Sequence, residues 1–246
     1  MIRSGIQQIL AKWRAPAHVR ALTTFRTGGV SAGTFKSFNL ATHLGDNPSA
    51  VKQNRQRLVE HFKLPSEPAW LQQVHGQNVV SVTTGHRELL ADGSFTRERG
   101  IVCVVLTADC IPLFLTDPAG SFVSLLHLGW RGLAYDLIES GLTALSVNPI
   151  ELLAWIGPGI GPDSFIVGDE VQQRLVRQMP EHAKACSRYG NKWRADLPLM
   201  VEQRLRACGV REISHSRICT VTDSQAWFSH RREGHCGRMA SLIWLA

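Results

Sequence analysis

Apolar and polar positions along this chain predict both strands and helices. Continuous apolar runs, often β-branched and bounded by turn residues, are typical of buried strands. Such runs lie at 101–107, 111–116, 121–127, 151–156 and 213–221. Helices are predicted at 48–62, from about 132 to 146, after Asp169 to 179, and after Asp196 to 208.

Residues that start or stop helices flank these segments. Asn47 and Pro48 are a cap and a first-turn proline, Asp169 and Asp196 are candidate caps, and Gly209 follows a predicted last turn. Strands and helices are mixed without strict alternation, which predicts an α+β fold with a layered, mixed β-sheet flanked by helices. No repeat or linker divides the sequence, so we expect residues 1–246 to form a single domain.

The composition indicates a sizeable core and an anionic partner. Apolar residues make up 44% of the 246 residues, and the net charge is +7. A basic balance favours phosphate, nucleotides or nucleic acid as partners. The basic residues are dispersed, and the chain has two Tyr and seven scattered Trp. An RNA-binding module with a stacking platform is therefore disfavoured, and a small substrate that carries or uses phosphate explains the charge equally well.

No segment resembles a membrane or targeting signal. No run approaches the roughly 18 apolar residues of a membrane span, and residues 1–13 lack a long apolar stretch and a small-residue cleavage site. The six cysteines are scattered, so we expect free thiols or metal ligands rather than disulfides. We therefore expect a cytoplasmic protein, and we favour a monomer.

Three short segments place metal-capable side chains among small or polar neighbours. His75 follows Gln73-Val74, Cys110 follows the predicted strand 101–107, and His127 ends the predicted strand 121–127. Two imidazoles and a thiolate are a suitable set for a catalytic zinc, which keeps an open position for water. The spacings of 35 and 17 residues fit no compact zinc finger, so spacing alone leaves structural roles for these residues open.

Seven short motifs, in the same order along the chain, resemble those of one protein family. They are Ser37-Phe38-Asn39-Leu40 with His43 and Gly45-Asp46, Gln73-Val74-His75-Gly76, Thr107-Ala108-Asp109-Cys110, Gly129-Trp130-Arg131-Gly132, Gly157-Pro158 with Ile160-Gly161-Pro162, Val167-Gly168-Asp169-Glu170-Val171, and Phe228-Ser229-His230-Arg231-Arg232-Glu233-Gly234 with Gly237-Arg238. By these motifs the chain resembles the YfiH-type laccase-domain family, whose members are often labelled polyphenol oxidase or multicopper oxidase and are now viewed as purine nucleoside phosphorylases.

The resemblance implies a YfiH-like fold and a zinc ion bound by His75, Cys110 and His127. It also implies phosphorolysis of adenosine, inosine and methylthioadenosine, together with deamination of adenosine, so that a purine nucleoside and phosphate are the small-molecule partners. Some members are linked to editing of peptidoglycan precursors. The departures from the family pattern are Leu128 for the usual Ala, Gly159 for Cys and Ile166 for Glu.

Phosphorolysis requires a group that holds phosphate near C1′ of the nucleoside. Arginine suits this role because its fork of donors matches phosphate oxygens. Arg131, four residues after His127, is the first candidate; the pair Arg231 and Arg232 is second, and Arg238 is third. Each of these arginines also fits a surface ion pair.

Three further residues are candidates with an ordinary structural alternative. Asp109, next to Cys110, is a candidate for orienting a ligand imidazole, or it caps a loop. Asn39 and His43 are candidate substrate-binding residues, and a turn or core role suits each of them as well. Together with the metal-capable residues and Arg131, they define the predicted site.

Two other enzyme classes fit part of the sequence. Multicopper oxidases commonly bind copper through His-x-His pairs, and the ten histidines here form no such pair, although copper can occupy a site of this kind in vitro. A cysteine hydrolase or amidase, including one that edits peptidoglycan precursors, needs only Cys110 as nucleophile and His127 as base. A sulfur bound to zinc cannot attack a substrate, so the zinc and hydrolase mechanisms exclude each other.

Overall fold

The apolar runs of the sequence form strands in the computed structural model, which describes residues 5–85 and 89–246. The strands are β1 (Gln8–Leu10), β2 (Val19–Thr24), β3 (Leu71–Gln72), β4 (Val79–Ser81), β5 (Leu89–Leu90), β6 (Gly93–Thr96), β7 (Val102–Thr107), β8 (Ile111–Thr116), β9 (Val123–Leu128), β10 (Leu153–Ile156), β11 (Ile166–Val167), β12 (Cys186–Tyr189), β13 (Lys192–Ala195), β14 (Glu212–His215) and β15 (Met239–Leu245). The α-helices are α1 (Pro48–Phe62), α2 (Trp130–Ala134), α3 (Leu137–Leu145), α4 (Asp169–Gln178), α5 (Leu197–Ala207) and α6 (His230–Glu233).

The strands pair into two larger sheets and two small ones. An antiparallel four-stranded sheet has the order β1-β2-β15-β7. A six-stranded sheet has the order β14-β10-β8-β9-β6-β4, with parallel pairs at its two edges and antiparallel pairs between them. The small sheets are β11-β13-β12 and β3-β5. This mixture of helices with mixed sheets confirms the predicted α+β class.

Apolar clusters join the two larger sheets to each other and to the helices. Cys103 and Ile243 of the four-stranded sheet pack with Phe114 and Trp155 of the six-stranded sheet. Helices α2 to α5 pack on the other face of the six-stranded sheet, and α1 packs on the other face of the four-stranded sheet. Strands β7, β8 and β9 are therefore buried at every position, which explains why their sequences are continuous apolar runs.

The predicted start of α1 and start of α5 are confirmed. The Asn47 side chain accepts hydrogen bonds from the backbone N–H groups of Ser49 and Ala50, with Pro48 in the first turn. The Asp196 side chain accepts one from the backbone N–H of Leu199. These side chains satisfy donors that a helix start otherwise leaves without partners.

The prediction of one helix from about 132 to 146 is wrong. Helix α2 begins at Trp130 and ends at Ala134, and α3 begins only at Leu137. Asp136 lies between them in the left-handed region with φ +60°. Its carboxylate and that of Glu139 pair with the buried Arg204 of α5, which stabilises the break.

Two other predicted boundaries are also corrected. Asp169 does not cap α4, because Gly168 has the cap position and the Asp169 carboxylate accepts from the Trp193 indole N–H at 2.6 Å. The predicted strand 213–221 ends at His215. Arg217 then has φ +55°, which turns the chain out of the sheet. Within residues 5–85 and 89–246, none of the helices combines the length with the apolar character that a membrane span requires.

Candidate active site

Three segments that are distant in sequence meet where β7 and β9 end. Cys110 lies between β7 and β8, His127 lies near the end of β9, and His75 follows β3. Their potential ligand atoms all lie within 4.8 Å of one another, and Cys110 Sγ is 3.9 Å from His75 Nε2. The structure thus brings together the residues that the sequence analysis selected, named here the His–Cys–His cluster.

Gly129 leaves the space that this cluster occupies. A Cβ atom at position 129 would lie 2.9 Å from Cys110 Sγ and 3.3 Å from the His75 ring. The first of these distances is shorter than real Cβ contacts allow. The Gly129 of the Gly-Trp-Arg-Gly motif is therefore required by packing against the cluster.

A fully buried carboxylate, that of Asp92, supports both histidines. Its Oδ1 atom lies 2.9 Å from His127 Nδ1 and accepts from the His75 backbone N–H, also at 2.9 Å. Its Oδ2 atom accepts from the backbone N–H groups of Val74 and Gly76. Because an ionised carboxylate only accepts, His127 Nδ1 is the donor and its Nε2 atom is left for a metal or for Cys110.

The protonation states within the cluster depend on one another. Burial raises the pKa of the Cys110 thiol, but the adjacent His127 and His75 outweigh burial and lower that pKa to about 6. Burial lowers the pKa of His127, while the Cys110 thiolate and the Asp92 carboxylate raise it to about 9. Both shifts favour a thiolate beside an imidazolium as the state of this pair in metal-free protein.

The donor set and its spacing fit a zinc ion. Zinc binds imidazole nitrogen at about 2.0–2.1 Å and thiolate sulfur at about 2.3 Å, so a tetrahedral ion separates N and S donors by roughly 3.5 Å. The separation of 3.9 Å between Cys110 Sγ and His75 Nε2 is close to this value. Among residues 5–85 and 89–246, no other group of three His, Cys, Asp or Glu side chains is placed to hold a metal.

The cluster lines a cavity of about 620 Å³, within the usual range of small-ligand sites. Six apolar side chains of this lining are named here the apolar wall: Ile160, Phe165, Ile166, Val167, Val171 and Leu197. The polar and charged residues of the lining, besides the cluster, are His43, Gln73, Asp109, Arg131, His230, Arg231 and Arg238. A cavity with cationic groups and an apolar surface suits a ligand that has an apolar face, together with an anion.

The arginines that line the cavity differ in the hydrogen-bond partners of their guanidinium groups. Arg231 donates from Nη1 to the carbonyl oxygens of Ser164 and Ile166, and Arg238 donates to those of Cys236 and Gly237. Arg131 makes no hydrogen bond or ion pair with any described residue, and its guanidinium lies 4.4 Å from the centre of the Trp130 ring. Arg231 and Arg238 thus each engage one guanidinium nitrogen, whereas Arg131 is the arginine of this cavity with none of its donors engaged by a described residue.

Asp109 does not orient a ligand imidazole, which corrects one of its two predicted roles. Its carboxylate accepts from the hydroxyls of Thr220 and Ser229 and from the backbone N–H of Arg231, at 2.6, 3.0 and 2.6 Å. Asp109 thus holds the turn that carries Cys110 against the segment 220–231. Asp92 orients the imidazole of His127 instead.

Two predicted substrate-binding residues lie outside the cavity lining. Asn39 is fully buried; its amide donates to Asp46 and to the carbonyl of Ala41, and its oxygen accepts from the Arg238 backbone. The Arg232 guanidinium donates to the carbonyls of Thr220, Val221 and Trp227 and pairs with Glu233. Both residues hold loops together, whereas His43 and Arg231 do line the cavity.

The sequence analysis did not select Asp92, and it assigned no role to Gln73 or to the apolar wall. One local feature could have drawn attention to Asp92: it is an acidic residue between Ala91 and Gly93, directly before strand β6. The Gln73 side chain accepts from the backbone N–H of Leu106 and donates to its carbonyl, which fixes the loop of His75 to β7. Ile160, Val167 and Val171 belong to the family motifs, but nothing in the sequence indicated that they line one cavity with Phe165, Ile166 and Leu197.

Comparison with known proteins places the chain in one family. Residues 20–246 match the family described as multi-copper polyphenol oxidoreductase laccase. The chain is 41% identical to the purine nucleoside phosphorylase YfiH of Escherichia coli over 238 residues, covering 96% of this chain and 98% of that protein. It is 43% identical to a purine nucleoside phosphorylase of Pseudomonas aeruginosa over 235 residues, covering 95% and 96%.

Solved structures show the same fold. A crystal structure of a Neisseria meningitidis protein superposes with a TM-score of 0.92 at 41% identity, covering 97% of this chain and 98% of that one. YlmD from Geobacillus stearothermophilus superposes with a TM-score of 0.88 at 31% identity, covering 93% and 92%. In sequence, in fold and in the ordered motifs that build the cavity, this chain belongs to the YfiH-type laccase-domain family.

Proposed function

We propose that this protein is a zinc-dependent purine nucleoside phosphorylase that acts on adenosine, inosine and methylthioadenosine and also deaminates adenosine. The proposal is carried by Arg131, whose donors are unused in a cavity that also contains the His–Cys–His cluster and the apolar wall. The names of the relatives from Escherichia coli and Pseudomonas aeruginosa support the same class of reaction.

Arg131 is suited to holding phosphate. Its guanidinium lies against Trp130, which restricts its position without using its donors. Phosphate binds arginine through two parallel charge-assisted hydrogen bonds. The other arginines of the cavity donate to backbone carbonyls, so Arg131 is the residue proposed to bring phosphate to C1′ of the nucleoside.

The apolar wall is suited to the purine base. Phe165, Ile166 and Val167 lie consecutively at the cavity, and Val171 and Leu197 extend the same apolar surface. A flat heterocycle buries its face against such a surface. The resemblance to the family implies a Glu at the position of Ile166, so this chain has an apolar side chain where that pattern has a charged one.

Zinc, when bound, supplies a Lewis acid that lowers the pKa of water to about 7, which suits adenosine deamination. His75, Cys110 and His127 would hold the ion, and Asp92 fixes the Nδ1 proton of His127 so that Nε2 is the donor to the metal. In phosphorolysis, Arg131 orients the phosphate oxygen for attack on C1′. The apolar wall holds the base while its bond to C1′ breaks.

The test is to purify the protein, to measure its metal content per chain, and to follow the release of hypoxanthine from inosine and phosphate. Arg131→Ala is expected to raise KM for phosphate about tenfold or more, and Arg211→Ala, at an exposed position, is its control. Cys110→Ala is expected to lose metal and activity together, whereas Cys219→Ala, which lies outside this cavity, keeps both. Metal-replete protein that releases no hypoxanthine contradicts the phosphorylase assignment and leaves the metal site standing.

A cysteine hydrolase or amidase is the second candidate, because Asp92, His127 and Cys110 are arranged in the order acid, base and nucleophile. Such an enzyme would attack an acyl carbon, including that of a peptidoglycan precursor, with the Cys110 thiolate. Metal-free protein that kept its amidase activity and lost it on thiol alkylation would favour this reaction. Activity that requires metal would exclude it.

Copper is the alternative metal, since the family description names a multi-copper oxidoreductase and copper binds most sets of nitrogen and sulfur donors more tightly than zinc. The residues described by the structure offer one three-residue group, whereas a multicopper oxidase needs several centres. Phenol oxidation by copper-loaded protein, compared with phosphorolysis by zinc-loaded protein, distinguishes the two activities.

A further inference from the structure

His230 lines the cavity but belongs to neither the His–Cys–His cluster nor any predicted set of site residues. It is exposed and is the first residue of α6. Its Nδ1 atom contacts the carbonyl oxygen of Gly234. A carbonyl only accepts, so Nδ1 keeps its proton, and Nε2 is the nitrogen that can take up and give a second one. The Nε2 atom makes no hydrogen bond with a described residue.

The residues on both sides of His230 are anchored to the turn that carries Cys110. The Ser229 hydroxyl and the Arg231 backbone N–H both donate to Asp109 Oδ2, at 3.0 and 2.6 Å. The Arg231 guanidinium then donates to the carbonyls of Ser164 and Ile166, which flank Phe165 of the apolar wall. The backbone of His230 is thus held at the junction between the cluster and the wall.

Such anchoring matters because proton transfer requires a fixed geometry. The cavity lining has one other imidazole outside the cluster, His43, which the experiment below compares with His230. The remaining polar groups of this region are unsuited to giving a proton. Arginine does not lose its proton in proteins, and the Asp109 carboxylate is occupied by three donors. The Gln73 amide is bonded to the Leu106 backbone. Imidazole is the side chain that most often serves as a general acid.

We propose that His230 is a catalytic residue that protonates the leaving purine base, an inference that rests on the proposed phosphorylase function. His230 gives this proton as an imidazolium, protonated on both ring nitrogens. As the C1′–N9 bond breaks, its electron pair moves into the purine ring, and the Nε2–H proton of that imidazolium passes to N7. A phosphate oxygen forms the new bond to C1′. The proton that monohydrogen phosphate loses in forming ribose 1-phosphate restores His230, so atoms and charge balance.

The test compares inosine with 7-methylinosine, which carries a methyl group on N7 and leaves as a neutral base without a proton. In His230→Gln, kcat for inosine is expected to fall about 100-fold, in the range of general-acid contributions. For 7-methylinosine, kcat is expected to change less than about threefold, because no proton transfer is lost. The matched control is His235→Gln, an exposed histidine that contacts Phe35 and does not line the cavity.

Each outcome decides a separate question. An equal loss for both nucleosides, or no loss for either, overturns the role of His230 while leaving the phosphorylase function in place. A selective loss for inosine in His43→Gln, with none in His230→Gln, assigns the proton to His43 instead. Wild-type protein that cleaves neither nucleoside contradicts the proposed function and the role of His230 with it. Metal content and melting temperature, measured for every variant, identify a variant that has failed to fold.

Discussion

At the scale of single residues, Asp92 is the side chain on which the arrangement of the metal cluster depends. It is fully buried, and its two oxygens accept from the His127 ring and from three consecutive backbone N–H groups, those of 74 to 76. One carboxylate therefore fixes the tautomer of one ligand and the loop of another. A neutral amide cannot do both, because it has one accepting oxygen.

The first prediction follows from this role. Asp92→Asn is expected to weaken zinc binding about 10-fold to 100-fold, the usual cost of removing a partner that orients a ligand. Competition with a chromogenic chelator measures the affinity. Asp117→Asn, in the turn between β8 and β9, is the control because its carboxylate bonds only within that turn. Unchanged affinity in Asp92→Asn would show that the loop positions His75 and His127 without the carboxylate.

The second prediction concerns the thiol of Cys110 in metal-free protein. Its pKa is lowered to about 6 by His127 and His75 despite burial, so alkylation at pH 7 is expected to be fast and to slow as the pH falls through that value. Burial raises the pKa of Cys186, so this half-buried thiol is the internal comparison. In His127→Asn the midpoint is expected to move upward, because the neighbouring positive charge is gone. A midpoint near the ordinary thiol value in wild-type protein would contradict the thiolate–imidazolium pair.

At the scale of elements, the site depends on how strands end and helices begin. Strand β9 ends at Leu128, and α2 begins at Trp130, so a single residue, Gly129, connects the strand of His127 to the helix of Arg131. This short connection places the metal ligand and the proposed phosphate ligand in one cavity. It also brings the backbone of Gly129 against the sulfur of Cys110.

The third prediction tests that close approach. Gly129→Ala is expected to lower zinc occupancy, because the added Cβ would lie 2.9 Å from Cys110 Sγ and would displace it. Gly168→Ala is the matched control, since Gly168 is also a helix cap but has no atom within 4 Å of its added Cβ. Metal analysis of the two purified variants gives the comparison. Full occupancy in both would mean that the turn relaxes enough to accept a methyl group.

At the scale of the whole molecule, the cluster brings together residues that adjoin or belong to strands of three different sheets. His75 follows the two-residue strand β3, Cys110 lies between strands of two different sheets, and His127 is in the middle of the six-stranded sheet. A metal ion bound to all three would link the small sheet to the two larger ones. Binding that occurs only in the folded state stabilises that state.

The fourth prediction is that zinc raises the melting temperature. At a free zinc concentration of 100 times Kd, the stabilisation is about 2.7 kcal/mol, which corresponds to roughly 5–10 °C for a chain of this size. Calorimetry with and without a chelator measures the shift. Cys110→Ala, which lacks a ligand, is expected to show much less of it. An equal shift in both proteins would indicate that zinc stabilises the fold from somewhere other than the cluster.

The sequence by itself determined much of this protein. Continuous apolar runs gave β7, β8 and β9, because a strand covered on both faces must be apolar throughout. Local caps such as Asn47 and Asp196 set where helices begin, since they act within one turn of the chain. The motif order identified the family and the residues His75, Cys110 and His127, which the structure brings within reach of one metal ion.

Tertiary structure alone decided how those residues are supported and which neighbours share their cavity. Asp92 instead of Asp109 orients His127, and Asn39 and Arg232 hold loops outside the cavity, although nothing in their local sequence distinguishes these roles. The physical reason is that hydrogen bonds across 35 or 111 positions of chain depend on how the sheets pack. The break between α2 and α3 could not be predicted from the local sequence for the same reason. It is stabilised by Arg204, which belongs to another helix.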